Sequence, residues 1–157
     1  MSTKLALTPP MGWNSWNAFE QKIDEKLIRD TRNFVVIVDD LSTGDKGKLP
    51  NLPTTNWRFI KADVNDYKDM APIMTSYQFD YVFHLAAQAL VKKSYADPLE
   101  TWSTNVMGTL NVLNSLRVLK KRCAAVIITS DKCYDNVEWV WGYRETDTLG
   151  GPDPYSA

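Results

Sequence analysis

The chain has 157 residues, the size of one domain, and can bury roughly two-thirds of the surface its unfolded form exposes. With 18 Lys and Arg against 19 Asp and Glu, its net charge is −1, which excludes a protein that holds nucleic acid by a strong positive field. Hydrophobic residues make up 44% and charged residues 24%, the balance of a globular domain, and no apolar run approaches the ~20 residues of a membrane span. The opening MSTKLALTPP carries no long apolar stretch, so a cytoplasmic location is expected. Cys123 and Cys133 fit neither a disulfide framework nor a zinc pattern, and read as buried thiols. His84 is the single histidine, so no metal site is expected, and it reads as a hydrogen-bonded core residue.

Taken in order, Pro9-Pro10 breaks any element begun at Leu5–Leu7, and an indole-rich segment, MGWNSWN, follows at 11–17. Residues 24–32 read as a helix with Asp24 as cap. Phe34–Val38 is an unbroken apolar, β-branched run ending in Asp39-Asp40, the pattern of a strand buried on both faces of a parallel sheet. Breakers at Gly44, Gly47, Pro50 and Pro53 make a loop. A second strand is expected at 57–62, a helix at 66–77 and a third strand at 81–85 running into Ala86-Ala87-Gln88.

The longest helical pattern covers 99–119, with Val106, Leu110, Leu113 and Leu116 on one face. A fourth strand at 124–129 ends at Ser130-Asp131, and 136–157 reads as loop. Lysine pairs at 92–93 and 120–121 read as helix-surface charge. Strands alternating with helices from Phe34 onward predict a doubly wound parallel sheet, in which ligands bind beyond the carboxyl ends of the strands. Those ends carry Asp39, Asp63, Ala86 and Ser130-Asp131.

Several ordered motifs carry a resemblance: VVIVDDLSTG at 35–44, KADVND at 61–66, FHLAAQ at 83–88, TNVMGT at 104–109, ITSDKCYDN at 128–136 and DPYSA at 153–157. Together they resemble the extended short-chain dehydrogenase/reductase family over about residues 34–157. ADPLETWSTNVMGT, TSDKCYDNVEWVWGYRETD and GGPDPYSA are most similar to its CDP-glucose 4,6-dehydratase branch.

The resemblance implies NAD as cofactor and a nucleotide or nucleotide-sugar as small-molecule partner. It implies that Asp39, with Asp40 beside it, meets the adenosine ribose, that Asp63 and Val64 lie beside adenine, and that Leu85, Ala86 and Ala87 form a wall along the cofactor. Asn105 matches an amide on the long helix beneath it. Ser130, Asp131, Lys132 and Tyr155 match catalytic positions. In the reaction so implied, NAD takes hydride from C4 of the sugar while a tyrosinate takes the hydroxyl proton. Water then leaves across C5–C6 with Asp131 protonating the leaving hydroxyl, and hydride returns to C6. The family also implies a homodimer, paired through the helices after the third and fourth strands.

Two departures shape the expected function. Gly12 is the only glycine before Gly44, so no glycine-rich phosphate turn is legible in 1–33. The lysine of a YxxxK motif begun at Tyr155 would fall beyond Ala157. A dehydratase-like, catalytically incompetent domain is therefore expected, the alternative being an inert or engineered chimeric scaffold without cofactor.

Residues 5–32, with LALTPPMGWNSWNAF and DEKLIRDT, resemble instead the start of family 27 glycoside hydrolases, which are TIM barrels. That resemblance implies a sugar-facing Trp13 and places Asp39-Asp40 where a galactose-binding acid pair would stand, so a galactose-binding remnant is the second alternative. The resulting expectation is a single Rossmann-like domain over 1–157. Its first βα unit (1–33) is TIM-barrel-like, its dehydrogenase-like body (34–157) is truncated, and the two are joined as a chimera.

Overall fold

The computed structural model describes residues 33–43 and 56–157. The helix expected at 24–32, the loop at 44–53 and the sugar-facing Trp13 lie outside the described residues.

The apolar run forms β1 (Val35–Asp39), which pairs in parallel with β2 (Trp57–Lys61), Val35 opposite Trp57 and Asp39 opposite Lys61. Helix α1 (Tyr67–Tyr77) follows, capped by Asp66, whose side chain accepts from Lys68 N–H at 2.8 Å. It ends at Gln78, a left-handed residue at φ 50° whose N–H donates to Met74 O. Strand β3 (Tyr81–His84) pairs in parallel with β4 (Ala124–Ile127). Between them run α2 (Val91–Ala96), α3 (Pro98–Trp102), a π-helical turn (Ser103–Met107), α4 (Gly108–Ser115) and a 3₁₀ turn (Leu116–Val118). After β4, a 3₁₀ turn covers Asp131–Cys133, and Tyr134 bridges Leu149.

The expected alternation of strand and helix is present from β2 onward, and the strands pair in parallel. Among the described residues they form two parallel pairs, β1–β2 and β3–β4. Both pairs lie against a single core: Met70 and Met74 of α1 and Val112 of α4 are buried, with Val38 of β1 and Val82 of β3 packed on them.

Several sequence-based expectations are corrected. The run in β1 is half-buried throughout, not buried on both faces. The helix expected over 99–119 is present as a continuous helical run from Pro98 to Val118, but its repeat changes from α to π at Ser103–Met107, back to α, and to 3₁₀ at Leu116–Val118. Its Val106, Leu110 and Leu113 are 48%, 53% and 43% exposed, while Thr101, Gly108, Val112 and Ser115 turn inward and only Leu116 of the expected stripe meets the core. A π turn adds a residue to the helical repeat and rotates everything after it, so a stripe drawn at constant helical period goes out of phase. Helix α2 was not expected.

Lys120 and Lys121 lie beyond the helical segments. There Lys120 N–H donates to Gln78 Oε1 and Lys121 pairs with Asp80 at 2.6 Å. Cys123 and Cys133 are half-buried rather than enclosed.

Candidate functional site

Within each parallel pair the two strands end side by side, and the residues at and after those carboxyl ends include most of the positions singled out in the sequence. Asp39 closes β1 and its Oδ1 accepts from Leu41 N–H at 2.7 Å. Asp40 does the same for Ser42 N–H at 2.8 Å. This bond holds the Asp40 carboxyl below its ordinary range, with the Ser42 side chain and the Lys61 charge adding to it. Both carboxylates are exposed, and Leu41 between the two turns takes a left-handed φ of 61°.

Two residues beyond β2, Asp63 Oδ1 accepts from Asn65 N–H at 2.8 Å. The segment it starts is clamped from α4. Asn111 Nδ2 donates to Val64 O at 3.0 Å and to Asn65 O at 2.8 Å, and Ser103 Oγ donates to Asn65 Oδ1 at 3.1 Å. The clamp requires glycine at 108, because a Cβ there would stand 2.8 Å from Val64 Cγ2.

Beyond β3, Leu85, Ala86 and Ala87 are exposed, Leu85 by 59%. They lead into the buried Gln88, which is tied on three sides. Its backbone N–H donates to Asn105 Oδ1 at 2.8 Å and its carbonyl accepts from Asn105 Nδ2 at 3.0 Å. Its side chain donates to Thr101 Oγ1 at 2.9 Å and accepts from Leu90 N–H at 2.7 Å. Asn105 is held in turn by Thr109, whose hydroxyl donates to Asn105 O at 2.6 Å.

That hydroxyl has one proton, so its contact with His84 Nε2 at 2.9 Å makes the ring N–H the donor. Burial lowers the His84 pKa from its ordinary 6.5, which favours the neutral ring. His84 is thus the hydrogen-bonded core residue the sequence suggested.

Beyond β4, Ser130 Oγ accepts from Lys132 N–H at 3.1 Å and donates to Asp131 Oδ1 at 3.3 Å, leaving both charged side chains exposed. The chain then makes an excursion through 136–147 and returns. Its stem is closed by Asp135 N–H to Thr148 O and Gly150 N–H to Cys133 O, at 2.9 and 2.8 Å.

The returning segment carries Asp153, which is buried. It accepts from Tyr155 N–H at 2.9 Å, Ser156 N–H at 3.1 Å and the Ser156 hydroxyl at 2.7 Å. These bonds, Ser156 Oγ foremost, and the nearby Lys132 charge lower its pKa. Gly151 is required here too, since a Cβ would overlap Ser156. The stem thereby sets Lys132 within electrostatic range of the turn that holds Tyr155.

Asp39, Asp63, Leu85–Ala87 and Ser130–Lys132 thus lie at or just beyond the carboxyl ends of β1, β2, β3 and β4 in turn, while Asn105 lies in the π-helical turn and Tyr155 in the turn held by Asp153. Asn105 stands out, because its side chain is spent on Gln88. The Gln88, Thr101, Thr109 and Asn111 partners escape pattern reading, since each makes a bond to a group 13 to 47 residues away in sequence. A groove of about 570 Å³ between β2 and α1, lined by Arg58, Lys61, Pro72 and Tyr77, shares no residue with this set. Among the described residues no group of three or more His, Cys, Asp or Glu could hold a metal, and no helix is long and apolar enough to cross a membrane.

Comparison with known proteins gives the arrangement a context. Residues 22–157 match the family described as GDP-mannose 4,6 dehydratase. The chain is 51% identical over 94 residues to CDP-glucose 4,6-dehydratase of Salmonella typhimurium, covering 60% of this chain and 26% of that enzyme. A 36-residue stretch, 23% of the chain, is 58% identical to an alpha-galactosidase of Coffea arabica, of which it covers 10%.

Among solved structures, the UDP-glucose-4-epimerase of Stenotrophomonas maltophila, with bound NAD and formylated UDP-arabinopyranose, is similar with a TM-score of 0.68 at 28% identity. The match covers 78% of this chain and 37% of that one. The chain spans about a quarter to a third of the length of the curated relatives it matches.

Proposed function

The chain belongs to the GDP-mannose 4,6 dehydratase family, and from that premise we propose that it is an NAD-binding, nucleotide-sugar dehydratase-like domain. In this reading it holds the adenosine end of the cofactor without completing the reaction. The observation that carries it is that Asp39, Asp63 and the exposed Leu85–Ala87 segment each lie at or just beyond the carboxyl end of a strand in a parallel pair. Ligands of doubly wound sheets bind beyond that end.

The residues present fit the adenosine half of a dinucleotide. The exposed Asp39 carboxylate spends one oxygen on Leu41 N–H, and the other can accept from a ribose hydroxyl. Asp63 and Val64, fixed by Asn111, would lie beside adenine, and Leu85, Ala86 and Ala87 would pack along the cofactor. Asp40 would stand behind Asp39 as a second acceptor.

When bound, NAD supplies hydride acceptance and return. This chain's own share of the dehydratase chemistry would fall to four groups. Asp131 would deliver a proton from its carboxyl to the leaving hydroxyl. Ser130 would orient that carboxyl through the Oγ–Oδ1 bond it already makes, and Tyr155, as tyrosinate, would take the hydroxyl proton of the sugar. Lys132 would raise the positive potential around both. With a single glycine before Gly44, two phosphates lack the backbone cradle that a glycine-rich turn gives. Weak cofactor binding and no turnover of CDP-glucose are the expected outcome.

Calorimetric titration of the chain with NAD+, repeated on Asp39→Ala, tests this. Heat that the substitution abolishes supports the reading. No heat at millimolar cofactor overturns it in favour of an inert chimeric scaffold. A second reading, a galactose-binding remnant, is favoured by the alpha-galactosidase match. It requires galactose affinity lost in Trp13→Ala.

A homodimer accompanies the first reading. Leu99, Trp102, Val106, Leu110 and Leu113 form an exposed apolar stripe along α3, the π turn and α4, of the kind that pairing covers. Sedimentation of wild type against Val106→Glu/Leu110→Glu tests it, with a monomeric wild type as the refuting result.

A further inference from the structure

The excursion through 136–147 turns large apolar side chains into solvent. Val140 is 94% exposed and Trp141 62%, and Val137 and Trp139 are exposed beside them. The rings pack on one another. Tyr134 and Tyr143 stack with centroids 5.2 Å apart, and Trp139 lies 5.4 Å from Tyr143 and 5.9 Å from Trp141. Tyr143 pins this ladder, its hydroxyl donating to Asn136 Oδ1 at 2.8 Å and accepting from Val137 N–H at 2.9 Å. The platform is formed in advance, which lowers the ordering cost of binding. Exposed apolar patches of this kind mark contact sites.

The charge around the rings selects what meets them. Asp135, Glu138, Glu145 and Asp147 are set against Arg144 alone. Desolvation first, and then the negative charges of Cys133, Glu145 and Asp147, hold the Tyr134 hydroxyl above its ordinary range, so the acids bear on the ladder itself. A negative field over aromatic faces suits a guanidinium, which stacks on a ring while pairing with carboxylates.

The same chain carries the complement. Arg117, Lys120, Lys121 and Arg122 crowd the turn that leads into β4, with Asp80 as the acid beside them. Lys120 N–H on Gln78 Oε1 and the Lys121–Asp80 pair fix this turn to the end of α1. Among the described residues Arg117, Lys120 and Arg122 make no ion pair, and all three are exposed. The basic turn precedes β4 and the acidic excursion follows it. Four residues of strand part them by about 13 Å. That exceeds the ~8 Å over which exposed charges act at physiological salt, so neither neutralises the other within one copy.

We infer that the aromatic excursion of one copy seats the Arg117–Arg122 turn of a second copy of this chain, head to tail. The inference rests on neither the cofactor reading nor the stripe on α3 and α4. In this contact the two guanidinium groups stack on Trp139 and Trp141 while Glu138 and Glu145 meet their charge. Because the two surfaces differ, each end of an assembled pair keeps one of them free, and association proceeds as open chains.

Complementing variants test it. Arg117→Glu/Arg122→Glu keeps the excursion and loses the basic turn, and Glu138→Lys/Glu145→Lys does the reverse. All four positions are exposed, and neither variant should associate with itself. The first, isotopically labelled, is titrated with the second, unlabelled, and the indole N–H signals of Trp139 and Trp141 are followed by NMR. Both signals are expected to shift progressively, with an apparent affinity about tenfold weaker at about 0.5 M NaCl than at about 0.05 M. If a charge reversal disturbs the amide spectrum, the glutamine variants of the same four positions replace it. The inference is overturned if the two indoles do not respond, or if their response is independent of salt. It is equally overturned if unlabelled Arg117→Glu/Arg122→Glu moves them as far, because a copy without the basic turn would then cover the rings.

Discussion

The side-chain amide of Asn105 and the main chain of Gln88 bond reciprocally: Gln88 N–H donates to Oδ1 at 2.8 Å and Nδ2 donates to Gln88 O at 3.0 Å. One side chain thereby does for the segment after β3 what a neighbouring strand would do. The position that family resemblance assigns to the cofactor has a scaffolding task of its own, and Asn105→Ala strips both partners. A loss of about 1–3 kcal/mol is expected, the cost of leaving such groups unsatisfied. Urea denaturation measures it, and an unchanged midpoint would return Asn105 to a purely ligand-facing role.

Gly108 is the second point at which the site depends on packing. A Cβ there would meet Val64 Cγ2 at 2.8 Å and push the Asp63–Asn65 segment away from the Asn111 amide that holds it. Gly108→Ala is expected to cost about 1–3 kcal/mol by overpacking. Adding Val64→Ala should recover much of that loss, since the two side chains are in contact and their effects couple. Additive losses in the double variant would show that the strain lies elsewhere.

The strands, α1 and the polar strand ends were legible because each rests on local signals. Val35–Val38 is an unbroken β-branched run, Asp66 is a helix cap, and Asp39, Asp63 and Ser130 follow apolar stretches directly. What was not legible depends on contacts distant in sequence. The stripe from Val106 to Leu113 looks like a core face, yet small residues, Thr101, Gly108 and Ser115, allow the closer approach and take the inward side. No local pattern announces the π turn that rotates the face, nor the short helix α2, whose cap residue Leu90 makes no side-chain cap bond. Asn105 and Asn111 bind backbone that only the fold brings near.

His84 gives the chain a predictable response to acid. Burial lowers its folded pKa below the ordinary 6.5, so the unfolded chain binds the proton more readily. Stability then falls as pH drops through the unfolded value and is constant above it. With one histidine in the sequence, the window between about pH 7.5 and 5.5 belongs to this group. His84→Gln, which keeps a donor for Thr109, should flatten the midpoint of urea denaturation across that window. A slope that persists in the variant would assign the effect to another group.

Asp153 acts in the same direction at lower pH. Its folded pKa lies below the ordinary 3.8, chiefly because the Ser156 hydroxyl and two backbone N–H groups bind the ionised form. The stabilisation is complete above the unfolded value and is lost as pH falls through the lower folded one. The turn that carries Tyr155 should loosen in that range while the core around Met70 and Val112 stays intact. Protection factors of the Tyr155 and Ser156 amides, followed from pH 5 down to pH 3, are expected to drop in the wild type. In Asp153→Asn they should start low and stay there, because the amide replaces the charge that draws the donors in. Equal protection in both proteins across that range would show that the turn is held by Gly151 and the stem bond to Cys133, and that Asp153 contributes no anchor to the tyrosine.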